Sequence, residues 1–448
     1  MELAGKKILV IGLGESGLAC GLFLAGRGAE VRLTENRRGP GLETERGKLE
    51  AAGVRVELGG HSEAFLEGLD LVVTSPGVPP ESRPIQAALQ SGIPVWSELE
   101  LAYRFCPAPI LAVTGTNGKS TVVTLLRDVL KAAGRPVVLS GNIRPAFISV
   151  VDRLTATDTV ILEVSSFQLE WIERFRPKLS LLLNITADHL DRYPDFGSYR
   201  KAKLRIFENQ AGDDIALLNY DDPESRVAGA GFKGRTFFYS RREKEGRFFS
   251  DGRHLFLPDG EKFLEIPPSR LWGVHNQENI LAVCAAARLY GLPSEAMAGA
   301  IRNFQPLAHR LEPVARKQGV QYIDDSKATN VDSTLRALQS FPKDSGRVLL
   351  ILGGKDKGGS YRPLREALSG QPAEVILIGE AAERISAELA GTVPIHRTAD
   401  LAGAVRLAAG RARPGDTVLL SPACSSFDMF KDYAQRGNSF KEAVAGLP

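Results

Sequence analysis

The fold class turns on Pro109-Ile110-Leu111-Ala112-Val113-Thr114-Gly115-Thr116-Asn117-Gly118-Lys119-Ser120-Thr121. Five apolar or small residues run into a glycine loop, and the loop runs into a helix start. A strand that is apolar at every position is covered on both faces, as in a parallel sheet. The loop resembles a phosphate loop that has Val113 in place of its first glycine. Its working parts are present: backbone N–H groups from Gly115, Thr116, Asn117 and Gly118 to cradle phosphates, Lys119 for the β/γ oxygens, and Ser120 as a Mg²⁺ ligand, with Thr121 next on the helix. A nucleoside triphosphate is the expected ligand.

Upstream, Lys6-Lys7-Ile8-Leu9-Val10-Ile11 leads into a second glycine loop, Gly12-x-Gly14-x-x-Gly17, and Glu35 ends the next apolar run. Taken alone, this loop suits a nucleotide or dinucleotide phosphate at a helix N-terminus. Two phosphate loops on one chain imply two phosphorylated ligands. Downstream, TVILEVSS and LSLLLNIT are further buried-strand patterns, and VLLILGG, AEVILIGE and DTVLLSPA form a third set. The fold class expected is α/β with three consecutive domains. These are a Rossmann-like domain over 1–97, a central P-loop-type ATPase domain with a parallel-rich sheet over 98–306, and a C-terminal Rossmann-like domain over 307–448.

Composition agrees with a globular α/β protein: of 448 residues, 43% are hydrophobic and 24% charged. Lys+Arg number 56 against 53 Asp+Glu, so a general nucleic-acid binder is not expected. No apolar run reaches the ~18 residues needed to cross a bilayer, and the N-terminus lacks a signal-peptide layout. Cys20, Cys106, Cys284 and Cys424 are scattered without a CxxC, which fits free thiols in a reducing cytoplasm.

Glu163 closes TVILE, where a carboxylate can reach a metal bound at the loop. Asn184-Ile185-Thr186-Ala187-Asp188-His189-Leu190-Asp191 follows LSLLL, at the strand edge where open sheets bind ligands. Carboxylate, imidazole and hydroxyl groups without cysteine suit a hard or borderline divalent cation. A lone His189 would more often be a satisfied loop residue; its neighbours make a functional role the better reading.

TGTNGKST, EVSSFQLE, NITADHLDRY, YRKAKLRIF, HNQEN, AHRLE and DDSKATN, in that order, resemble the Mur ligase family across essentially the whole chain. SPGVP, EVSSFQLE and SPACSSFDMFKDYAQRGNSF are similar to its D-glutamate-adding branch. The resemblance implies an ATP-dependent ligase, acting through an acyl phosphate, with UDP-N-acetylmuramoyl-L-alanine and D-glutamate as partners and two Mg²⁺ sites. It further implies metal ligands at Ser120, Glu163, His189 and a carbamylated Lys203, with Lys119 also catalytic and Lys201 an ordinary helix lysine. ATP contacts beyond the loop would be Asn276, Asn279, Arg310, Asp325 and Lys327. The UDP substrate would meet Gly14, Glu15, Ser16, Glu35, Ser75, Gly77, Asn142, Ser165 and His189. D-Glutamate would meet Thr329, Lys357, Ser426, Phe427 and Tyr433. A cytoplasmic monomer with no membrane partner is expected.

Three positions depart from the family pattern. Arg144 stands where a small residue is expected beside Asn142, Glu35 replaces a frequent Asp, and Tyr433 replaces a frequent Phe. Other Mur-type ligases and folylpolyglutamate synthase share the central motifs, so only the end domains separate them. An NAD oxidoreductase built on residues 1–100 would leave Lys119 and Glu163 without work. A non-catalytic nucleotide switch would not need an amino-acid site.

Overall fold

In the computed structural model, which describes residues 2–271, 273–341, 346–370 and 372–448, the first apolar run becomes the middle strand of a five-stranded sheet. This strand is β1 (Lys7–Ile11), flanked by β2 (Glu30–Glu35), β3 (Arg55–Leu58), β4 (Leu71–Thr74) and β5 (Val95–Ser97) in the order β3-β2-β1-β4-β5. All the pairings are parallel. The helix Glu15–Ala25 presses on the first glycine loop so tightly that a Cβ on Gly17 would lie 1.8 Å from the Gly12 carbonyl oxygen.

The central sheet has nine strands: β6 (Ile110–Thr114), β7 (Val137–Gly141), β8 (Thr159–Glu163), β9 (Leu179–Leu182), β10 (Ile215–Asn219), β11 (Arg235–Ser240), β12 (Phe248–Ser250), β13 (His254–Phe256) and β14 (Lys262–Glu265). Their order is β14-β13-β12-β11-β10-β9-β6-β8-β7. The strands from β7 across to β12 pair in parallel, and β13 and β14 extend that edge antiparallel. Sequence reading did not identify this short ribbon, because its strands are only three or four residues long. The helix Lys119–Ala132 buries Val122, Leu125, Leu126 and Val129 beneath the helices Val274–Leu289 and Ser294–Asn303.

The third sheet contains β15 (Glu312–Lys317), β16 (Val320–Asp324), β17 (Val348–Gly353), β18 (Ala373–Ile378), β19 (Ile395–Arg397) and β20 (Thr417–Leu420), ordered β15-β16-β20-β17-β18-β19. Only β15 runs antiparallel within it. Apolar clusters cover both faces, one around Leu350 and Leu377, the other around Ile351 and Phe440. Both clusters are built from residues after 310. By contrast, a single buried cluster runs from Leu3 to Leu218 and joins the first two sheets through Leu99, Leu101, Phe147 and Ile148. Among the described residues, no helix is long and apolar enough to cross a membrane.

Candidate active site

Catalytic polar residues should gather where apolar strands end, because a strand's carboxyl edge is where backbone leaves the sheet. The phosphate loop follows β6, Glu163 is the last residue of β8, and Asn184–Asp191 follows β9. From the third sheet, Asp325–Asn330 follows β16 and Ser421–Tyr433 follows β20. These edges face one another across a cavity of about 760 Å³.

Gly118 (φ 89°) caps the helix, and a Cβ there would meet Asn279 Oδ1 at 2.7 Å. Lys119 Nζ folds back onto the Gly115 and Thr116 carbonyls at 2.7 and 2.9 Å. Burial pushes this lysine below its usual range, while Glu163 opposes the shift. Ser120 Oγ accepts from Arg310 Nη2 at 3.0 Å, so the interdomain arginine reaches the helix start. Thr121 lines the same wall.

Glu163 is 3% exposed, and its Oε1 accepts from Asn142 Nδ2 at 2.7 Å. Its Oε2 is buried with no hydrogen-bond partner. Burial works against ionisation, but Lys119 and Asn142 outweigh it and hold the carboxyl below its usual range. A buried carboxylate oxygen left without a donor fits a cation-binding role. Lys203 is 2% exposed, donates to the Gly115 carbonyl at 3.0 Å and lies over the Tyr199 ring. Burial, then Lys119, pushes it well below the usual lysine range. Lys201, two residues away, is exposed. His189 takes a positive φ of 56°, packs edge-on against Phe167, and is brought down to about 4 by burial.

The third domain brings Lys357, whose Nζ lies 3.0 Å from Asp188 Oδ1. Burial disfavours the Asp188 charge, yet Lys357 outweighs it and brings the group down to about 2. Lys327 Nζ sits 3.8 Å above the Tyr433 ring centre, so Tyr433 offers its face to this lysine. Burial, then Arg310, lowers Lys327 to about 7. Asp325 lines the cavity, but its oxygens accept from the Leu311 N–H and the Ser421 hydroxyl within its own domain. Thr329, Ser426 and Phe427 complete that wall, and Phe427 is 68% exposed.

The residues expected to meet the UDP substrate divide into two groups. Gly77, Asn142, Ser165 and His189 line the cavity; Gly14, Glu15, Ser16, Glu35 and Ser75 lie outside it, on the first domain. Ser165 Oγ is engaged in a capping box with Gln168. Glu35 Oε2 accepts the Leu13 N–H at 2.9 Å, and both its oxygens bind Arg37. Burial opposes that charge, but the Arg37 guanidinium and these donors prevail and lower it to about 2. Glu35 therefore organises the glycine loop, while Arg37 carries the exposed end of the pair. Arg144, the departure beside Asn142, pairs with Glu15 at 2.8 Å and ties the two loops together. Glu15 also accepts the Ala146 N–H at 3.3 Å.

Sequence reading missed the wall formed by Leu271, Phe304, Pro306 and Leu307 beside Asn276 and Asn279. These apolar residues lie near the junction of two domains, and no periodic pattern marks them out. It also gave Asp188 only a place in a cation-binding run and Asn330 no role, although both stood inside quoted motifs. Among the described residues, one cluster of possible metal ligands, His309, Glu312 and Asp324, does not line the cavity; Lys441 donates to Glu312 at 2.7 Å and supplies its cation.

Residues 6–97 match the Mur ligase MurD-like N-terminal domain, 113–287 the Mur ligase middle domain, and 309–424 the Mur ligase glutamate ligase domain. The chain belongs to the Mur ligase family. It is 46% identical to the UDP-N-acetylmuramoylalanine–D-glutamate ligase of Trichlorobacter lovleyi over 451 residues, covering 100% of both chains. The ligase of the same name from Acidobacterium capsulatum is also 46% identical, over 99% of this chain and 97% of its own. Among solved structures, the UDP-N-acetylmuramate–alanine ligase MurC of Thermotoga maritima overlays with a TM-score of 0.61 at 19% identity, over 98% of this chain and 99% of its own. The MurF ligase of the same organism, in complex with ADP, gives 0.61 at 16% identity, over 99% and 96%. At these identities the overlays speak for the Mur ligase fold alone.

Proposed function

We propose that this Mur ligase joins D-glutamate to UDP-N-acetylmuramoyl-L-alanine at the expense of ATP, a step in building peptidoglycan precursors. The observation that carries the reading is the meeting of a phosphate loop, a buried carboxylate with an unpartnered oxygen, and Lys357 in one cavity. Full-length relatives at 46% identity carry the name of this reaction. Residues 1–97 would hold the UDP portion, 98–306 ATP, and 307–448 the amino acid.

A carboxylate does not react with an amine at neutral pH, so it must first be given a leaving group. The γ-phosphoryl of ATP passes to a carboxylate oxygen of the alanyl substrate, giving an acyl phosphate and ADP. The D-glutamate amine then attacks the carbonyl carbon, and the tetrahedral adduct loses inorganic phosphate and a proton. The protein's task is to position and neutralise anions. The backbone of Gly115 to Gly118 and Lys119 would hold the phosphates, aided by Arg310 and Lys327. Leu271, Phe304 and Pro306 would offer an apolar wall for the base beside Asn276 and Asn279, which are hydrogen-bonded to each other at 3.2 Å. Ser120, Glu163, His189 and carbamylated Lys203 would hold Mg²⁺ at two sites, and the ions supply charge neutralisation for the transferring phosphoryl group. The buried, low-pKa Lys203 amine is suited to carbamylation, since only a neutral amine adds carbon dioxide. Thr329, Lys357, Ser426 and the backbone near Phe427 and Tyr433 would receive the two carboxylates of D-glutamate. One chain carries every residue invoked, which supports a monomer, and a UDP-linked substrate used with ATP supports a cytoplasmic setting.

Phosphate release with ATP, Mg²⁺ and UDP-N-acetylmuramoyl-L-alanine, run against D-Glu, L-Glu, L-Ala and diamino acids, tests the whole reading. Release with D-Glu alone is expected. Release with another amino acid would keep the ATP site and overturn the roles given to Thr329, Lys357 and Ser426. For Lys203, the K203A variant should be inactive and partly rescued by short carboxylates. Folded protein without rescue would overturn the carbamate.

A further inference from the structure

Asn330 is 7% exposed and stands where the phosphate loop, the Asp188 loop and the third domain meet. It is the N-cap of the helix Val331–Leu338, with its Oδ1 accepting the Ser333 N–H at 2.9 Å. A backbone N–H can only donate, so this bond fixes which end of the amide is oxygen. The amide nitrogen is thereby turned across the domain seam. It donates to Asp188 Oδ2 at 2.9 Å and to Asn117 Oδ1 at 3.3 Å, and Asn117 Nδ2 returns a long bond of 3.4 Å to Asn330 Oδ1.

Each partner leads to a different ligand. Asn117 lies in the phosphate loop, and its side chain also meets Asp332 at 2.7 Å and Ser333 Oγ at 2.6 Å. Asp188 holds Lys357 at 3.0 Å. A single amide therefore bonds both the loop that would wrap a triphosphate and the carboxylate that holds the lysine offered to the amino acid.

We propose that Asn330 is a positioning residue that couples the phosphate loop to the amino-acid site through Asp188 and Lys357. Ordering of Asn117 around bound phosphate keeps Asn330 and Asp188 in register. That register aims the Lys357 ammonium at the incoming carboxylate. The inference rests on the reading of the cavity as a site for ATP and an acidic amino acid.

The capping role and the coupling role can be separated, because Asp caps a helix as well as Asn does. Asn330→Asp keeps the acceptor for Ser333 but replaces the donating nitrogen with an oxygen facing the Asp188 carboxylate. Asn330→Ala removes the cap and the coupling without adding repulsion. The experiment measures the KM for D-glutamate by phosphate release for wild type, N330D, N330A and the double variant D188N/N330D, with thermal unfolding of each.

Coupling predicts a KM raised on the order of tenfold in N330D, above that of N330A, although N330A is the less stable protein. It also predicts that D188N/N330D recovers part of the loss relative to N330D, since an amide again faces a carboxylate and the amide oxygen still accepts from Lys357, although that lysine loses its ion pair. A capping role alone predicts N330D within about twofold of wild type and no influence of Asp188; that result would overturn the proposal. Failure of wild type to release phosphate with D-glutamate would instead remove the functional reading, and this inference with it.

Discussion

The seam between the first and second domains and the seam between the second and third are built from opposite materials. At the first, Phe147 and Ile148 pack among Leu99, Leu101 and the helix Glu15–Ala25 in one continuous buried core. Just inside the second domain, Glu100 is fully buried and satisfied by Arg104 and the N–H groups of Glu173, Arg174 and Phe175. The polar contacts that cross the seam include Trp96 Nε1 donating to Glu173 Oε2 at 2.8 Å and Arg192 donating to the Val78 carbonyl at 3.0 Å. At the second seam the contacts are Asn117 with Asn330 and Asp332, Asp188 with Lys357, Arg310 with Ser120, and Arg336 with Glu278. Separating the first seam would expose apolar core at about 25 cal/mol per Å². Separating the second exchanges hydrogen bonds for water, at a net ~1 kcal/mol each. A fixed platform and a releasable lid are what such a contrast provides, and ligands that neutralise or bridge the second seam can decide its state.

The largest effect should come from breaking the apolar seam. Phe147→Ala removes a fully buried ring shared by two domains and should cost about 3–5 kcal/mol. Calorimetry should show the first two domains shifting together to lower temperature while the third keeps its own transition. A shift confined to one of the first two would show that they do not share a core. Next in size, Lys357→Met leaves Asp188 buried without its cation, at about 3 kcal/mol of seam energy. Here unfolding midpoints should barely move. The KM for D-glutamate should rise, and scattering with an ATP analogue should show a larger radius of gyration than wild type. Unchanged compaction would mean that the polar contacts do not hold the lid.

The contrast between the seams bears on what could be read from sequence. The phosphate loop, Glu163, Asp188–His189 and Lys327 all directly follow apolar strands or lie in short polar runs after them, so a linear pattern marks them. The second seam joins Asn117 to Asn330 and Asp188 to Lys357 across long separations, and no local pattern encodes which side chains will meet. Glu35 shows a further limit. Its position at the end of β2 was legible, but Arg37 two residues on claims both its oxygens, a choice made by rotamers rather than by spacing. The ribbon of β13 and β14 was too short to declare itself.

Acid should act on the two seams with opposite signs. Burial raises Glu98, which accepts the Ile148 N–H in the first seam, to about 7. Between about 4.5 and 7 the folded state thus holds a proton that the unfolded state does not, so lowering the pH through this window adds stability. His275 faces Arg336, Arg310 and Ser340, and burial, then Arg336, lowers it to about 4. Between about 6.5 and 4 the closed seam refuses a proton that an open one accepts, so the same acidification favours opening. From pH 7.5 to 5.5 the first effect should reach roughly 2 kcal/mol and the second roughly 1. Glu98→Gln should flatten the first, read by urea unfolding of the platform. His275→Gln should reduce the second, read by scattering, leaving the share of His189, which burial also brings down to about 4 at this seam; parallel slopes in both variants would refute the assignment.

The smallest effect belongs to a polar contact placed in the apolar seam. Arg27 of the first domain pairs with Asp152 of the second, and its guanidinium also lies 3.6 Å above the Phe23 ring centre. Asp152 is 60% exposed, so water already solvates its carboxylate and salt screens it. An exposed pair of this kind contributes ~0.5 kcal/mol. Asp152→Asn should therefore leave the platform's unfolding within about that margin and leave the KM for D-glutamate unchanged, because Arg27 keeps its aromatic partner. At the second seam a single charge removed at Lys357 should move the KM strongly. If Asp152→Asn instead loosened the platform as much as Phe147→Ala, the first seam would be held by its rim charges rather than its core, and the division of the molecule into platform and lid would fail.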